Sequence, residues 1–281
     1  MNNQIKIHVF HCGEVCVSPY LPFGGEHCNL FKAAGLTTKK EDRLWLPVSA
    51  YLIEHSKGKV LVDTGWHQEI SPNGKYNKKA QIKHMGRLLY FVNQGKIGYK
   101  QNIVDQLQTL NIQPNEIDYV LLTHLDCDHV SGLRQVKEAK NILVSQNEIQ
   151  CAKKHFYRYA PSMWKGVHLT PFEYQNTGIG PFSLSYDLFD DGSVQLVSIP
   201  GHCDGLFAVY IQNSQGQYIL LYSDGGYASR SWQEMIRPGI SLNPEKQMQS
   251  LQWIREMSMN KNCLASLANH DPDVQPQTIL L

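Results

Sequence analysis

The segment LLTHLDCDHVSGL, Leu121–Leu133, carries His124, Asp126, Asp128 and His129 within six residues, directly after an apolar run. Imidazole and carboxylate groups are ligands for borderline and hard divalent metals, and a strand that ends in a loop can aim several of them at one point. Steric limits keep all four side chains off a single ion. Two adjacent ions use them naturally, His124 and Asp126 serving one and Asp128 and His129 the other. Each ion then needs further ligands, and the chain offers them in comparable places. His202 follows an apolar strand and a Pro-Gly turn in SIPGHCDG, Asp224 ends the strand in ILLYSDGGY, and His270 ends the apolar run in CLASLANHDP. A buried strand delivers each of them to one edge of a sheet.

The elements that must do this positioning are readable from periodicity. Ile5–Cys12 alternates apolar and polar residues and reads as a strand. Val48–Gly65 reads as two strands joined by a tight SKGK turn, with the Gly- and Pro-rich Ser18–Arg43 segment before it as loop. Asn102–Ile112 has helical spacing, Ile117–His124 is a buried strand, and AKNILVSQ and SVQLVSIPG are further strands. Leu206–Gly226 reads as a hairpin, Pro244–Asn260 as a strong helix, and Cys263–Pro272 as a final strand ending at His270. Strands and helices mix in both halves, which predicts an α/β sandwich with helices outside in preference to a simple parallel sheet. The chain reads as a single domain, residues 1–281, with an insertion at about 66–100 that could act as a lid or a partner surface.

These letters resemble the metallo-β-lactamase superfamily, whose usual motif is His-x-His-x-Asp-His followed by later His, Asp and His ligands. VLVDTGW, with Asp63–Gly65, resembles the early Asp-Thr-Gly of those chains. Within the superfamily the chain looks most like the N-acyl homoserine lactonases: SDGGY resembles their bridging Asp with a Tyr three residues on, here Tyr227, and ANHDP their terminal Gly-His-Asp. The resemblance implies a four-layer αβ/βα fold. It assigns His124, Asp126 and His202 to a first metal, Asp128, His129 and His270 to a second, and Asp224 to the bridge, with Asp63 orienting a ligand imidazole. Two divalent ions, zinc by resemblance, would supply a water that ionises near neutral pH and a Lewis acid for a lactone carbonyl. Tyr227 would donate to the developing oxyanion, and Asp128 would pass a proton to the leaving alkoxide. The expected substrate is a small lactone or ester, an acylated homoserine lactone by resemblance, and the result quorum quenching.

Position 126 departs from that pattern. It is Asp where the hydrolases usually have His, and flavodiiron proteins of the same superfamily place a carboxylate there and bind iron. The harder site opens iron or manganese as alternatives to zinc. Di-iron redox chemistry, a phosphoester hydrolase on the same metals, and a non-catalytic metal- or ligand-binding regulator are the rival readings; no basic, phosphate-clamping patch is evident near the site.

Bulk properties narrow the partners. With 281 residues and a formal net charge of +1, the chain has no electrostatic signature of a nucleic-acid binder. Lys75, Lys78, Lys79 and Lys83 read as a solvated helix face. Seven cysteines are too few and too odd in number for a disulfide framework, so reduced thiols and a cytoplasmic location are expected. MNNQIKIHVF carries no leader pattern, and no apolar run approaches the ~20 residues of a spanning helix. The expectation is a monomer or homodimer. Cys127 and Cys203 adjoin proposed ligands but read as pocket-wall or core residues, and His8, His11, His27, His55, His67, His84, His155 and His168 have no ligand-like spacing. The aromatics Tyr20, Phe23, Trp45, Trp66, Tyr90 and Phe91 are candidates for lining an acyl-chain cavity.

Overall fold

Alternation along the strands sends successive side chains into two different cores. The computed structural model describes residues 4–281, so Met1–Asn3, the start of the segment read for a leader and of the 1–281 domain, lie outside the described residues. Its strands are β1 (Lys6–Val17), β2 (Leu44–His55), β3 (Gly58–Val62), β4 (Gln94–Lys96), β5 (Tyr119–Leu122), β6 (Asn141–Ser145), β7 (Thr170–Phe172), β8 (Gln175–Asn176), β9 (Leu184–Asp187), β10 (Val194–Ser198), β11 (Phe207–Gln212), β12 (Tyr218–Leu221), β13 (Cys263–Leu267) and β14 (Gln277–Leu280). One sheet runs β14-β1-β2-β3-β5-β6-β7, with β4 added to β1, and the other runs β13-β12-β11-β10-β9-β8. Tyr51 and Ile53 of β2, Val60 and Val62 of β3, and Leu121 of β5 meet Phe207, Val209 and Ile211 of β11 and Ile219 and Leu221 of β12 between the sheets. The alternate residues, Leu52, Leu61, Val120, Leu122, Ala208 and Leu220, join a second core that includes helix residues Ile103, Leu107 and Ile254. Two sheets face to face with helices outside make the four-layer αβ/βα sandwich.

Both sheets are mixed. β3, β5, β6 and β7 are parallel, as are β12 and β13, while the remaining pairs are antiparallel. Parallel neighbours end on the same side. Leu221 of β12 pairs with Leu267 of β13, so Asp224 and His270, each three residues on, leave the sheet side by side.

Several boundaries differ from the sequence-based expectation. β1 runs on to Val17 through an irregularity between His11 and Glu14, where its alternation breaks. The Ser18–Arg43 loop holds a helical turn at Leu30–Ala33, capped by the Asn29 side chain. β13 stops at Leu267, short of His270, and it is not the last strand, because β14 pairs with β1. A helix at Gln146–Lys154, capped by Ser145, was not expected from the letters. The 66–100 segment contributes β4 and the Lys78–Val92 helix, which breaks at Gly86, where φ is +86°.

The Pro244–Met259 helix begins at Pro244, where the sequence reading starts it, and Asn243 caps it by accepting from Lys246 N–H. It supports the turns that carry His202 and Asp224: Ser250 donates to the Pro200 carbonyl at 2.8 Å and Gln247 to the Gly225 carbonyl at 2.8 Å. No helix among the described residues is long and apolar enough to cross a membrane. The seven cysteines are all free thiols.

Gly65 explains the Asp-Thr-Gly turn. Its φ is +61°, and a Cβ there would stand 2.2 Å from Cys12 Cβ. Left-handed strain of about 1–2 kcal/mol adds to overpacking of about 1–3 kcal/mol. Gly65→Ala is therefore expected to lower unfolding stability by roughly 3 kcal/mol, read as a shifted denaturant midpoint with unchanged slope.

Candidate metal centre

Each of the seven sequence-predicted ligands leaves a strand end or the short turn beyond it, and all seven converge. His124 Nε2 lies 3.5 Å from Asp126 Oδ2, and His202 Nε2 lies 3.1 Å from the same oxygen. On the other side His270 Nε2 is 3.5 Å from Asp128 Oδ2. Asp224 stands between. Its Oδ1 is 3.3 Å from both His129 Nε2 and His270 Nε2, and its Oδ2 is 3.5 Å from His202 Nε2. The ligand-capable atoms of His124, Asp126 and His202, of Asp128, His129 and His270, and of His124, His129 and Asp224 each fall within 4.8 Å of one another.

The donor set fits divalent cations. Two ligands bound at about 2.1 Å with a tetrahedral angle between them lie about 3.4 Å apart, close to the 3.3–3.5 Å separations around Asp224. His124 Nε2, His129 Nε2 and Asp224 Oδ1 are buried and have no hydrogen-bond partner. Buried polar atoms in that state call for a ligand. The outer ring nitrogens explain the orientation. His129 Nδ1 donates to Asp63 Oδ2 at 2.8 Å and His270 Nδ1 to the Pro47 carbonyl at 2.8 Å. Thr123 Oγ1 donates to Asp63, so toward His124 Nδ1, 3.1 Å away, it accepts. Each Nε2 lone pair is thereby left facing inward.

Charge and burial act together here. Burial works against a protonated His129, but Asp63 and Asp224 outweigh it and raise its pKa well above the usual range. Burial favours neutral Asp224, yet His270 and His129 hold it well below the usual carboxylate range. A cation is what this pocket of buried carboxylates favours. Burial, then Asp224, Asp126 and Asp128, push Tyr227 well up, which keeps its phenol a proton donor.

A cavity of about 370 Å³ opens onto the cluster, with Asp126, Asp128, His202, Asp224 and Tyr227 on its polar side. The Tyr227 ring stacks on His270 at 5.2 Å between centroids. The opposite wall is aliphatic: Val15, Val17 and Leu21 come from β1 and the loop after it, Leu88, Leu89 and Val92 from the Lys78–Val92 helix, and Ile240 and Leu242 from the loop before the Pro244–Met259 helix. None of the six aromatics named as acyl-cavity candidates lines it. Trp66, for one, is fully buried against Gly13 and Gly95. The 66–100 segment thus forms part of the cavity itself.

Cys127 and Cys203 are buried, and burial raises both thiols well above their usual range. None of the histidines set aside on spacing joins the cluster. His8 contacts Thr278 and Glu54, His84 contacts Ser131, and His155 lies apart with Cys151 and Asp204. Sequence reasoning missed Arg158. It follows the Gln146–Lys154 helix, and its guanidinium, only 11% exposed, donates to Asp126 Oδ1 from Nε at 2.8 Å and to Asp126 Oδ2 from Nη2 at 2.5 Å. It also donates to the His202 carbonyl from Nη1 at 3.0 Å and to His202 Nε2 from Nη2 at 2.6 Å. Burial and Arg158 lower His202 to about 4, so it is the neutral acceptor in that contact.

The sequence model of the metallo-beta-lactamase superfamily matches residues 43–215, more than half of the chain. The chain belongs to the metallo-beta-lactamase superfamily. Curated metallo-beta-lactamase relatives include N-acyl homoserine lactonase AttM of Rhizobium radiobacter, 25% identical over 236 residues that cover 81% of this chain and 83% of the relative. N-acyl homoserine lactonase AiiA of Bacillus thuringiensis subsp. kurstaki is 25% identical over 217 residues, covering 75% and 76%. Among solved structures, an N-acyl homoserine lactone hydrolase with N-hexanoyl-L-homoserine at its catalytic metal centre superposes with a TM-score of 0.73 at 21% identity, covering 95% of this chain and 94% of that one. AidC, a dizinc quorum-quenching lactonase, gives 0.62 at 13% identity over 99% and 94%. The structural likeness is one of fold.

Proposed function

We propose that the chain is a metal-dependent hydrolase that opens lactone rings, with N-acyl homoserine lactones as the substrate class. The observation that carries this reading is Asp224, which turns one oxygen to His129 and His270 and the other to His202 beside a cavity with an aliphatic wall. The names of the AttM and AiiA relatives support the substrate class. His124, Asp126 and His202 would hold one divalent ion, Asp128, His129 and His270 another, and Asp224 would serve both. When bound, such ions supply a water that ionises near neutral pH and a Lewis acid for a carbonyl oxygen.

The chain's own residues do the rest. Leu88, Leu89 and Val92 hold an acyl chain and exclude water. The neutral Tyr227 phenol donates to the carbonyl oxygen as it gains negative charge. Asp128 carries a proton toward the leaving alkoxide. Tyr227→Phe is expected to lower kcat about 100-fold, the effect of one lost oxyanion donor, with metal content unchanged. Unaltered kcat in that variant would remove Tyr227 from the reaction. Seven free thiols support a reducing, cytoplasmic setting.

Arg158 lends specific support to a second reading, a phosphoester hydrolase, because it puts on the cavity wall the basic group that the sequence did not reveal. Proton release by metal-replete protein decides between them. The panel is acyl homoserine lactones of several chain lengths, simple γ-lactones and a phosphodiester. Rapid release on the acylated rings supports the lactonase; turnover of the phosphodiester alone replaces it with the second reading.

A further inference from the structure

We propose that Arg158 is a built-in cationic competitor for the first half-site, so that the two half-sites fill at widely different metal concentrations, the second before the first. The inference rests on the dinuclear reading above and concerns which half-site is filled. The Arg158 guanidinium takes the ligand atoms that a cation there would use. Its bidentate pair with Asp126 engages both carboxylate oxygens, and Nη2 also engages the His202 Nε2 lone pair. A guanidinium stays charged at any physiological pH and donates without accepting. It therefore cannot join the coordination shell, and a divalent ion must displace it.

The guanidinium is held by more than Asp126. The bond from Nη1 to the His202 backbone carbonyl is independent of any ligand. The next two residues, Tyr159 and Ala160, are buried, and Tyr159 donates to Cys151 Sγ at 3.3 Å, which anchors the backbone behind the arginine. The second half-site has no such occupant: among the described residues, no lysine or arginine pairs with Asp128 or Asp224. This also gives Asp126 a physical role. A carboxylate at that position accepts a guanidinium through two parallel hydrogen bonds, which an imidazole cannot do.

The test is metal binding to the full chain, by equilibrium dialysis against zinc and, separately, cobalt, with bound metal counted by elemental analysis. Wild-type protein is expected to bind one equivalent tightly and a second about 100-fold more weakly, the scale on which groups bonded to ligands alter affinity. Arg158→Gln is expected to bring the second equivalent to within about tenfold of the first. Asp126→His, which removes the arginine's bidentate partner, is expected to act in the same direction and serves if Arg158→Gln fails to fold. His202→Ala should abolish the weak equivalent and spare the tight one. Two equally tight equivalents in wild-type protein, or two unequal ones unchanged in both Arg158→Gln and Asp126→His, would overturn the competitor role and leave the dinuclear site standing. No binding of either metal to any of these proteins would overturn the metal site together with the proposal.

Discussion

Asp224→Ala is expected to reduce turnover by at least about 1000-fold, equivalent to ~4 kcal/mol of lost transition-state stabilisation. Asp224 faces both proposed half-sites, with Oδ1 3.3 Å from His129 Nε2 and from His270 Nε2, and Oδ2 3.5 Å from His202 Nε2. On the proposed assignment, truncation would take a ligand from each half-site at once and leave a surplus of buried imidazole around the gap. Asp224→Asn keeps the shape and removes the negative charge, so the same direction is expected without a cavity. Turnover by proton release and bound metal by elemental analysis should fall together in both variants. His55→Ala is the control. His55 stacks on Phe189 at 4.7 Å, away from the cluster, and its loss should leave turnover unchanged. Wild-type metal affinity and turnover in Asp224→Asn would sink the bridging role.

Asp63 should show the second large effect, and its two variants should separate folding from metal binding. Its carboxylate is fully buried and accepts from Thr123 N at 2.9 Å, Thr123 Oγ1 at 2.8 Å, His129 Nδ1 at 2.8 Å and Asn269 Nδ2 at 3.0 Å. Its φ is +57°, a conformation that Asp and Asn tolerate far better than Ala. Asp63→Ala adds backbone strain and strands several buried donors, each worth about 1–3 kcal/mol. The expected loss, roughly 5 kcal/mol or more, is comparable to a whole domain's stability, and the variant should unfold at ordinary temperature. Asp63→Asn keeps the backbone and the volume but can turn an amide N–H₂ toward His129 Nδ1, disturbing the tautomer that leaves Nε2 free. It should stay folded and lose about 10–100-fold in metal affinity. Circular dichroism reads the first effect and equilibrium dialysis the second. A folded Asp63→Asn with wild-type affinity would show that the imidazole does not need this carboxylate to hold its direction.

The parts of this protein legible in its letters are those whose signal is local. Alternation along Ile5–Cys12 and the apolar runs within Val48–Val62 and at Val120, Leu121 and Leu122 announce strands, because burial on one face or on both is written into consecutive residues. The helix from Pro244 is legible for a like reason, since its apolar spacing lies within one short stretch. The ligand types and their places after apolar runs could be read together, since a strand that ends in a turn has few places to put its next side chain.

Arg158 was not legible. It lies in HFYRYAP, a stretch with no periodic signal and well separated along the chain from both Asp126 and His202. Its meaning depends on what the Gln146–Lys154 helix brings it against. The aliphatic wall was equally hidden. Leu88, Leu89 and Val92 lie on a broken helix, and Ile240 and Leu242 lie in a loop far away in sequence. The strands that lead to the candidate ligands, the sandwich class and the side chains able to ligate are legible in the letters, whereas β4, β7, β8, β9 and β14 are not. Packing between distant segments sets which oxygen of Asp224 faces which histidine, which residues wall the cavity, and that a guanidinium sits on Asp126. The physical reason is that ligand chemistry and side-chain alternation belong to neighbouring residues, whereas a shared cavity is made by distant segments that meet only when the two sheets close on each other.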